Sequence, residues 1–361
     1  MKKTLIFLVL ALLTLNVAAQ EKKGLTFTEA SELTLLGKVF PNTPDPYKRM
    51  DFTKYGGWTD KDIRLLNMST GIIVSFKTNS PLITVKTQFD VIDQSGRPGW
   101  ANRGYDLYIK KGGKWLWAGN NYAPLDASTV KNLTLVSNMD NSMKECLLYL
   151  PVYSVEKSIQ IGVEEGSVIE AGGRPFRHNI VIHGSSYMHG VSTIRAASTV
   201  PGFLTRMTGL QFNSLAVSGD CKMQPQFLNA LKDAEADAFV FDAFSNPTAA
   251  EINERLFGFI EGIQSTHPGV PLIFISSIYR ENRNFDKVKD KFEHDKEVMA
   301  DKLMKEAVKK YKDVYWIPSN ASTPDHETSA DGVHPGDFGY YLWAESIREP
   351  IVQILKKYGI K

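Results

Sequence analysis

The chain has 361 residues, 43% of them hydrophobic and 23% charged, with a formal net charge of +2. Loss of Lys2 and Lys3 with an N-terminal leader brings that charge to zero, which leaves no basic footprint for the phosphate backbone of a nucleic acid. Only two cysteines occur, Cys146 and Cys221, and that excludes both a disulfide scaffold and a cysteine-rich zinc site.

Lys2 and Lys3 precede an apolar run from Leu5 to Leu15, and the small residues Val17, Ala18 and Ala19 follow. This is the pattern of a secretory signal peptide over residues 1–20, cleaved near Ala19 or Gln20. The run is shorter than the ~20 residues of a membrane span, and no cysteine stands at the cleavage site for a lipid anchor. The expectation is an exported protein, periplasmic or extracellular, without a membrane span. A mature chain of about 340 residues suits two domains of ordinary size.

From about Leu25 to Ile169 the hydrophobic pattern has period two. Ile83, Val85, Thr87 and Phe89 alternate with Leu82, Thr84, Lys86 and Gln88, as in a strand with one buried face. Ile72–Lys77 precedes it across the turn-like Thr78-Asn79-Ser80-Pro81. Gly104–Lys110 and Trp115–Ala118, joined at Gly112-Gly113, read as a hairpin. Leu133–Ser137, Cys146–Val152 and Ser158–Val163 complete the set. Many short strands with turn signals predict an all-β jelly-roll sandwich over residues 21–173. Cys146 falls in one of these apolar runs and reads as a small hydrophobe.

After Ala171-Gly172-Gly173-Arg174-Pro175 the rhythm changes. Strand-like runs at His178–His183, Phe212–Val217, Ala238–Asp242, Pro271–Ile278 and Val314–Ile317 alternate with helical stretches. The clearest helix is Thr248–Gln264, opened by a capping box of Thr248 and Glu251, with Ile252, Leu256, Ile260 and Ile263 at helical spacing. Others run from about Phe285 to Tyr311, with a solvated Lys/Glu-rich face, and from about Phe338 to Tyr358. Such alternation predicts a parallel sheet covered on both faces, an α/β domain over residues 174–361.

Ligands of open α/β sheets bind beyond the carboxyl ends of the strands. The first predicted strand leads into Gly184-Ser185-Ser186, with Gly190 following, and the second into Ser218-Gly219-Asp220. The third leads into Ala243-Phe244-Ser245-Asn246-Pro247. Beyond the fifth lies Asp331-Gly332-Val333-His334-Pro335. These are the parts of an acyl-transfer site. A serine hydroxyl needs an imidazole to take its proton, the imidazole needs an acceptor to fix its tautomer, and the oxyanion needs preorganised donors.

Taken in order, the Gly184-Ser185-Ser186…Gly190 block, Gly219, Asn246 and Asp331-x-x-His334-Pro335 resemble the SGNH (GDSL-type) hydrolases. Gly104-Tyr105-Asp106-Leu107-Tyr108 likewise resembles the G-x-D-L-Y signature of a β-sandwich found before some SGNH esterases. The resemblance implies a flavodoxin-like three-layer hydrolase domain, with Ser186 as nucleophile, His334 as base and Asp331 as its orienter. It also implies an oxyanion hole of Ser186, Gly219 and Asn246. Ser185 stands where that family usually has Asp or Thr, and Tyr187-Met188 replaces the commoner Ile-Thr.

Simpler roles exist for each residue. Ser185 is the nearest alternative nucleophile, Gly219 suits a tight turn, and Asn246 suits a position just before a helix. Asp325 and His326 fit a solvated loop, whereas His183 and His189 flank the serine block and are candidates to line a pocket. Trp58, Trp100, Trp115, Trp117 and Tyr122 are core residues or, in part, a sugar-stacking platform. No metal-ligand cluster is apparent, so neither metal nor cofactor is expected. The reading is an exported serine esterase that removes small acyl groups, chiefly acetyl, from a carbohydrate. Its alternatives are a lipid esterase or thioesterase with the same triad, and a carbohydrate-binding protein of weak activity.

Overall fold

The structure, a computed structural model, describes residues 24–95 and 97–361; the expected leader at 1–20 lies outside the described residues. The first half is built from β1 (Leu25–Glu29), β2 (Thr34–Leu36), β3 (Ile73–Thr78), β4 (Ile83–Val91), β5 (Gly104–Lys111), β6 (Lys114–Tyr122), β7 (Thr129–Val136), β8 (Lys144–Tyr149), β9 (Val155–Glu164) and β10 (Ile169–Ala171). One antiparallel sheet has the order β1-β9-β4-β7, and the other runs β10-β3-β8-β5-β6 with β2 on the flank of β3. Without the short β2 and β10, the remaining eight strands form two four-stranded sheets, β1-β9-β4-β7 and β3-β8-β5-β6, the arrangement of a jelly roll and the architecture that the period-two pattern predicts. The inward residues Val74, Phe76, Ile83, Val85, Leu107, Leu148, Ile159 and Ile161 form the core between the sheets.

Two short helices, α1 (Asp60–Leu66) and α2 (Gly99–Asn102), interrupt the sandwich. Neither is long enough to show helical periodicity; α1 packs toward the second half, where Lys61 donates to the Gly219 carbonyl. That half contains, in chain order, β11 (Arg177–His183), α3 (Ser186–His189), α4 (Val200–Thr208), β12 (Leu210–Ser214), α5 (Pro225–Leu231), β13 (Ala238–Phe241), α6 (Ala249–Gln264), β14 (Leu272–Ile275), α7 (Lys287–Lys310), β15 (Val314–Ile317) and α8 (Asp337–Lys356). The sheet is parallel with the order β12-β11-β13-β14-β15, the flavodoxin-like 2-1-3-4-5 arrangement. Ile180, Ile182, Val240 and Ile273 pack on α4 and α8. Val181, Phe239, Phe241 and Phe274 face α5, α6 and α7, and this apolar layer runs on into Leu36, Leu65, Leu147 and Tyr153 of the first half. The three-layer α/β architecture is therefore joined to the sandwich through a continuous core.

Cys146 and Cys221 are both buried free thiols. Among the described residues no helix is long and apolar enough to cross a membrane.

Two polar anchors fix the junction. The Arg49 guanidinium is fully buried and donates to the carbonyls of Leu65 (2.7 Å) and Met68 (2.8 Å) on its own side, and of Ser214 (3.3 Å), the last residue of β12, and Ala216 (3.1 Å) just after it. The second anchor is Asp106, also fully buried. It accepts from Arg195 at 3.1 and 3.2 Å, from the Ala197 N–H at 3.2 Å and from Trp117 Nε1 at 2.8 Å. Tyr108, two residues on, lies under the Arg206 guanidinium, 4.6 Å from ring centroid to Cζ. The Gly104–Tyr108 motif is thus the surface by which the sandwich grips the segment after α3.

Removing one partner of a buried, hydrogen-bonded ion pair leaves the other charge and its donors unmatched. Asp106→Ala is expected to cost about 2–4 kcal/mol, and Asp106→Asn, which keeps an acceptor, is expected to cost less. Thermal and urea unfolding of the two variants beside the wild type measures both; an unshifted Asp106→Ala transition would show that the anchor contributes nothing.

Candidate active site

β11 ends at His183, and the chain turns sharply into the four-residue α3. Ser185 caps that helix, its hydroxyl accepting the Tyr187 N–H at 3.3 Å. Gly190 closes it at φ 101°, where a Cβ would lie 2.6 Å from Thr199 Cγ2; only glycine suits that turn. Held at both ends, α3 places Ser186 Oγ 2.9 Å from His334 Nε2.

His334 belongs to the loop before α8. Its Nδ1 lies 2.8 Å from Asp331 Oδ2, while Asp331 Oδ1 accepts the N–H groups of Val333 (2.9 Å) and His334 (2.7 Å). Ser186, His334 and Asp331 therefore form one continuous hydrogen-bonded chain, with Nδ1 as the N–H donor to the carboxylate. Burial raises the affinity of Asp331 for a proton, but the hydrogen bonds from the His334 ring and from the two N–H groups outweigh it and hold the carboxyl below the usual range. Burial also lowers His334 below an ordinary histidine; Asp331 opposes this, and the nearby cations Arg280 and Arg97 add to it. The imidazole is accordingly kept neutral at pH 7 and able to accept a proton.

Gly219 and Asn246 follow β12 and β13, the strands on either side of β11. Gly219 has φ 70°, in the left-handed region that favours glycine, and Lys61 of α1 donates to its carbonyl at 3.0 Å. Asn246 Oδ1 accepts the Cys221 N–H at 3.1 Å, which ties the two loops together and commits the oxygen pole of the amide. Among the described residues, no acceptor is bonded to the N–H of Ser186, the N–H of Gly219 or the Nδ2 of Asn246. Three strand-end donors remain available to a ligand.

The remaining sequence candidates do not join this chain. Ser185 is fully buried and bound through both Oγ (2.5 Å) and N–H (3.0 Å) to Asp242 Oδ2, so it is a structural cap and not a second nucleophile. His183 and His189 do not line a pocket. Burial lowers His183 to about 4 and His189 well below the ordinary value, and their rings bond to the carbonyls of Leu215 and Val152. His326 packs against Tyr279, centroids 4.6 Å apart, away from the Ser186 chain of hydrogen bonds, and Asp325 is exposed. Trp58 packs between Phe52 and Phe227, and Trp115 lies partly buried against Phe176. Trp100 and Trp117 remain exposed, the former in edge contact with Tyr122. Among the described residues no group of three His, Cys, Asp or Glu side chains is arranged to hold a metal ion.

Several further residues shape the site. Tyr187, next to the serine, is fully buried and presents its ring edge to His334, centroids 5.6 Å apart. Arg280 Nε holds the Tyr187 hydroxyl at 2.8 Å. Glu281 accepts from Ser322 Oγ, Thr328 N and Oγ1, and Ser329 N at 2.7–3.2 Å, and so clamps the segment that leads to Asp331. Asn282 N–H donates to the Gly332 carbonyl at 2.7 Å. Tyr187 had stood out in the sequence as a departure within the serine block, whereas the only sequence signal for Arg280, Glu281 and Asn282 was their position after a predicted strand end.

The GDSL-like Lipase/Acylhydrolase family model matches residues 177–353, and a model described as the N-terminus of SGNH-hydrolase-type esterases, GxDLY, matches residues 25–169. Among solved structures, a GDSL-like lipase from Bacteroides ovatus ATCC 8483 is 35% identical, with a TM-score of 0.88 over 92% of this chain and 98% of that one. The salicylyl-acyltransferase SsfX3 of a tetracycline biosynthetic pathway is 20% identical, with a TM-score of 0.71 over 93% and 99%. A family two carbohydrate esterase from Cellvibrio japonicus is 13% identical, with a TM-score of 0.61 over 92% and 99%. These last two likenesses concern the fold. A comparison with curated proteins finds no match.

The two adjacent serines make opposite predictions. Ser185→Ala removes a helix cap and a donor to a buried carboxylate, and is expected to lower stability by about 1–2 kcal/mol. Ser186→Ala breaks only the contact with His334 and is expected to stay within about 0.5 kcal/mol of the wild type. Denaturant midpoints compare them directly; equal midpoints would overturn the division of roles.

Proposed function

Because the chain belongs to the GDSL-like lipase/acylhydrolase family and is an ester-hydrolysing serine hydrolase, we propose that Ser186, His334 and Asp331 are its catalytic triad. The observation that carries this reading is the unbroken Ser186–His334–Asp331 hydrogen-bond chain. His334 Nε2 takes the hydroxyl proton as Ser186 Oγ attacks the acyl carbon. Asp331 keeps the proton on Nδ1 and stabilises the imidazolium that forms. The negative charge that develops on the carbonyl oxygen is received by the N–H groups of Ser186 and Gly219 and by Asn246 Nδ2. His334 then passes its proton to the departing alcohol. Water enters, gives a proton to the same nitrogen and attacks the acyl-serine, and collapse of the second intermediate releases the acid and restores Ser186.

The substrate proposed is a small acyl ester, chiefly acetyl, on a carbohydrate met outside the cytoplasm. Its support is the two-domain organisation shared along nearly the whole chain with the Cellvibrio japonicus carbohydrate esterase, together with the leader pattern at residues 1–20. The domain division itself is proposed at 173/174, where the Gly172-Gly173 stretch separates β10 from β11.

The first test is hydrolysis of p-nitrophenyl acetate, butyrate and octanoate, followed by acetate release from acetylated polysaccharides. Turnover is expected to fall with acyl length, and to vanish in Ser186→Ala and His334→Ala. Asn246→Ala is expected to lose about 10²–10³ in kcat as an oxyanion donor; a loss below threefold would remove it from that role.

The pH profile follows from the direction of the His334 shift. The base works only when neutral, and its protonation lies below the ordinary value of 6.5. kcat/KM is therefore expected to hold through pH 7 and to fall on acidification with a midpoint below 6.5. A midpoint above 7 would contradict the depressed histidine.

A further inference from the structure

Arg97 lies on the sandwich segment between β4 and α2, and it is exposed. Its guanidinium is nevertheless held in one place. Cζ sits 4.7 Å from the centroid of the Tyr153 ring. Tyr153 is only 3% exposed and its other contacts lead into the site. Its ring stacks on His189 at 4.5 Å, in the same short helix as Ser186. Its hydroxyl bonds the hydroxyl of Ser218, the residue before Gly219. A guanidinium held over an aromatic ring by that contact alone keeps its N–H groups free for a partner.

No such partner is found within the described protein. Arg97 makes no ion pair there, and Asp93, the carboxylate of the same loop, is occupied by Ser95 Oγ (2.6 Å) and Asn102 Nδ2 (2.8 Å). The other cation that acts on His334 is already committed: Arg280 bonds Tyr187, Glu293 and the Ser245 carbonyl. A wholly solvated arginine is the simpler view of any exposed one. It does not account for a guanidinium placed on a buried tyrosine that touches both the nucleophile helix and the Gly219 loop.

We propose that Arg97 recognises a carboxylate carried on the sugar of the substrate, beside the ester to be cleaved. The inference deepens the carbohydrate-esterase reading and rests on it. A planar carboxylate matches the paired N–H groups of a guanidinium, so the preferred substrates are acylated acidic sugars. Arg97 is thereby a specificity residue contributed by the sandwich to a site whose chemistry lies in the other half.

The test measures acetate release from a matched pair, mono-O-acetylated galacturonic acid and its methyl ester, in which the anionic carboxylate is replaced by a neutral ester. Wild-type enzyme is expected to show the higher kcat/KM on the acid. Arg97→Gln is expected to reduce the acid-to-methyl-ester ratio about tenfold, chiefly through KM, and Arg97→Lys to retain part of it. Raising salt to about 0.5 M is expected to narrow the wild-type ratio, since an exposed charge contact is screened. Thermal melting establishes that each variant is folded. The same ratio in wild type and Arg97→Gln overturns the proposal. Turnover of p-nitrophenyl acetate with neither sugar ester cleaved also overturns it, but leaves the esterase standing. No turnover of any of the three by wild type defeats the esterase reading itself.

Discussion

The guanidinium of Arg49 has to be satisfied from both halves of the chain at once, and much of the site follows from that requirement. A buried charge without hydrogen-bond partners is too costly to keep. Here four carbonyls supply the partners, two before β3 and two at and just after the end of β12. The backbone at Ser214 and Ala216 is therefore held by the sandwich. A few residues on, that backbone becomes the loop that carries Gly219. Arg49 also adds positive charge near His183 and His189 and reinforces the effect of burial in keeping both rings neutral. One interior cation thus holds a loop position and adds to the burial that keeps two neighbouring histidines neutral.

The nucleophile turn is supported in the same shared way. His189 closes α3, and its carbonyl accepts Thr70 Oγ1 at 2.8 Å while its ring meets the Val152 carbonyl at 3.1 Å. Both partners come from the sandwich. Asp106 grips the next segment through Arg195 and Ala197. The unusual residues beside Ser186 make sense within this frame. An aspartate at position 185 would set a second carboxylate against the buried Asp242, and burial already pushes Asp242 up. Serine gives the cap and donates to that carboxylate instead. Tyr187 fills the space under His334 and ties it through its hydroxyl to Arg280. What departs from the common block at these positions is packing, and the hydrogen-bond chain from Ser186 is untouched.

Much of this was legible in the sequence, for reasons specific to each element. The sandwich strands showed themselves because one face is wet, so alternation is visible. The parallel strands appeared as apolar runs with glycine or serine at their ends. The run Phe212–Val217 shows how such a reading drifts. The strand is Leu210–Ser214, although the N–H groups of Leu215 and Val217 still bond the carbonyls of Ile182 and Gly184 and so carry the chain along β11 toward the Gly219 loop. Short helices such as α1, α4 and α5 span too few turns to declare a period. Arg49, Glu281 and Arg97 were illegible for a different reason. Each acts on partners distant in sequence, and a lone charged residue on the chain looks the same whether it is solvated or clamped.

These contacts argue against regarding the sandwich as an appendage that merely brings a catalyst to a surface. An appended module leaves the catalytic half complete without it. Here the half that carries Ser186 lacks partners for its own parts when taken alone. The carbonyls of Ser214 and Ala216 would lose their donor, Arg195 its carboxylate, and the Ser218 hydroxyl its bond to Tyr153. The aromatic residues follow the same division. Trp58 is spent on the junction, against Phe227, whereas Trp100 lies three residues beyond Arg97 and stays exposed. On the proposed reading the sandwich selects what the other half cleaves, because the contacts that join the two halves also set Arg97 over a tyrosine that stacks on the Ser186 helix.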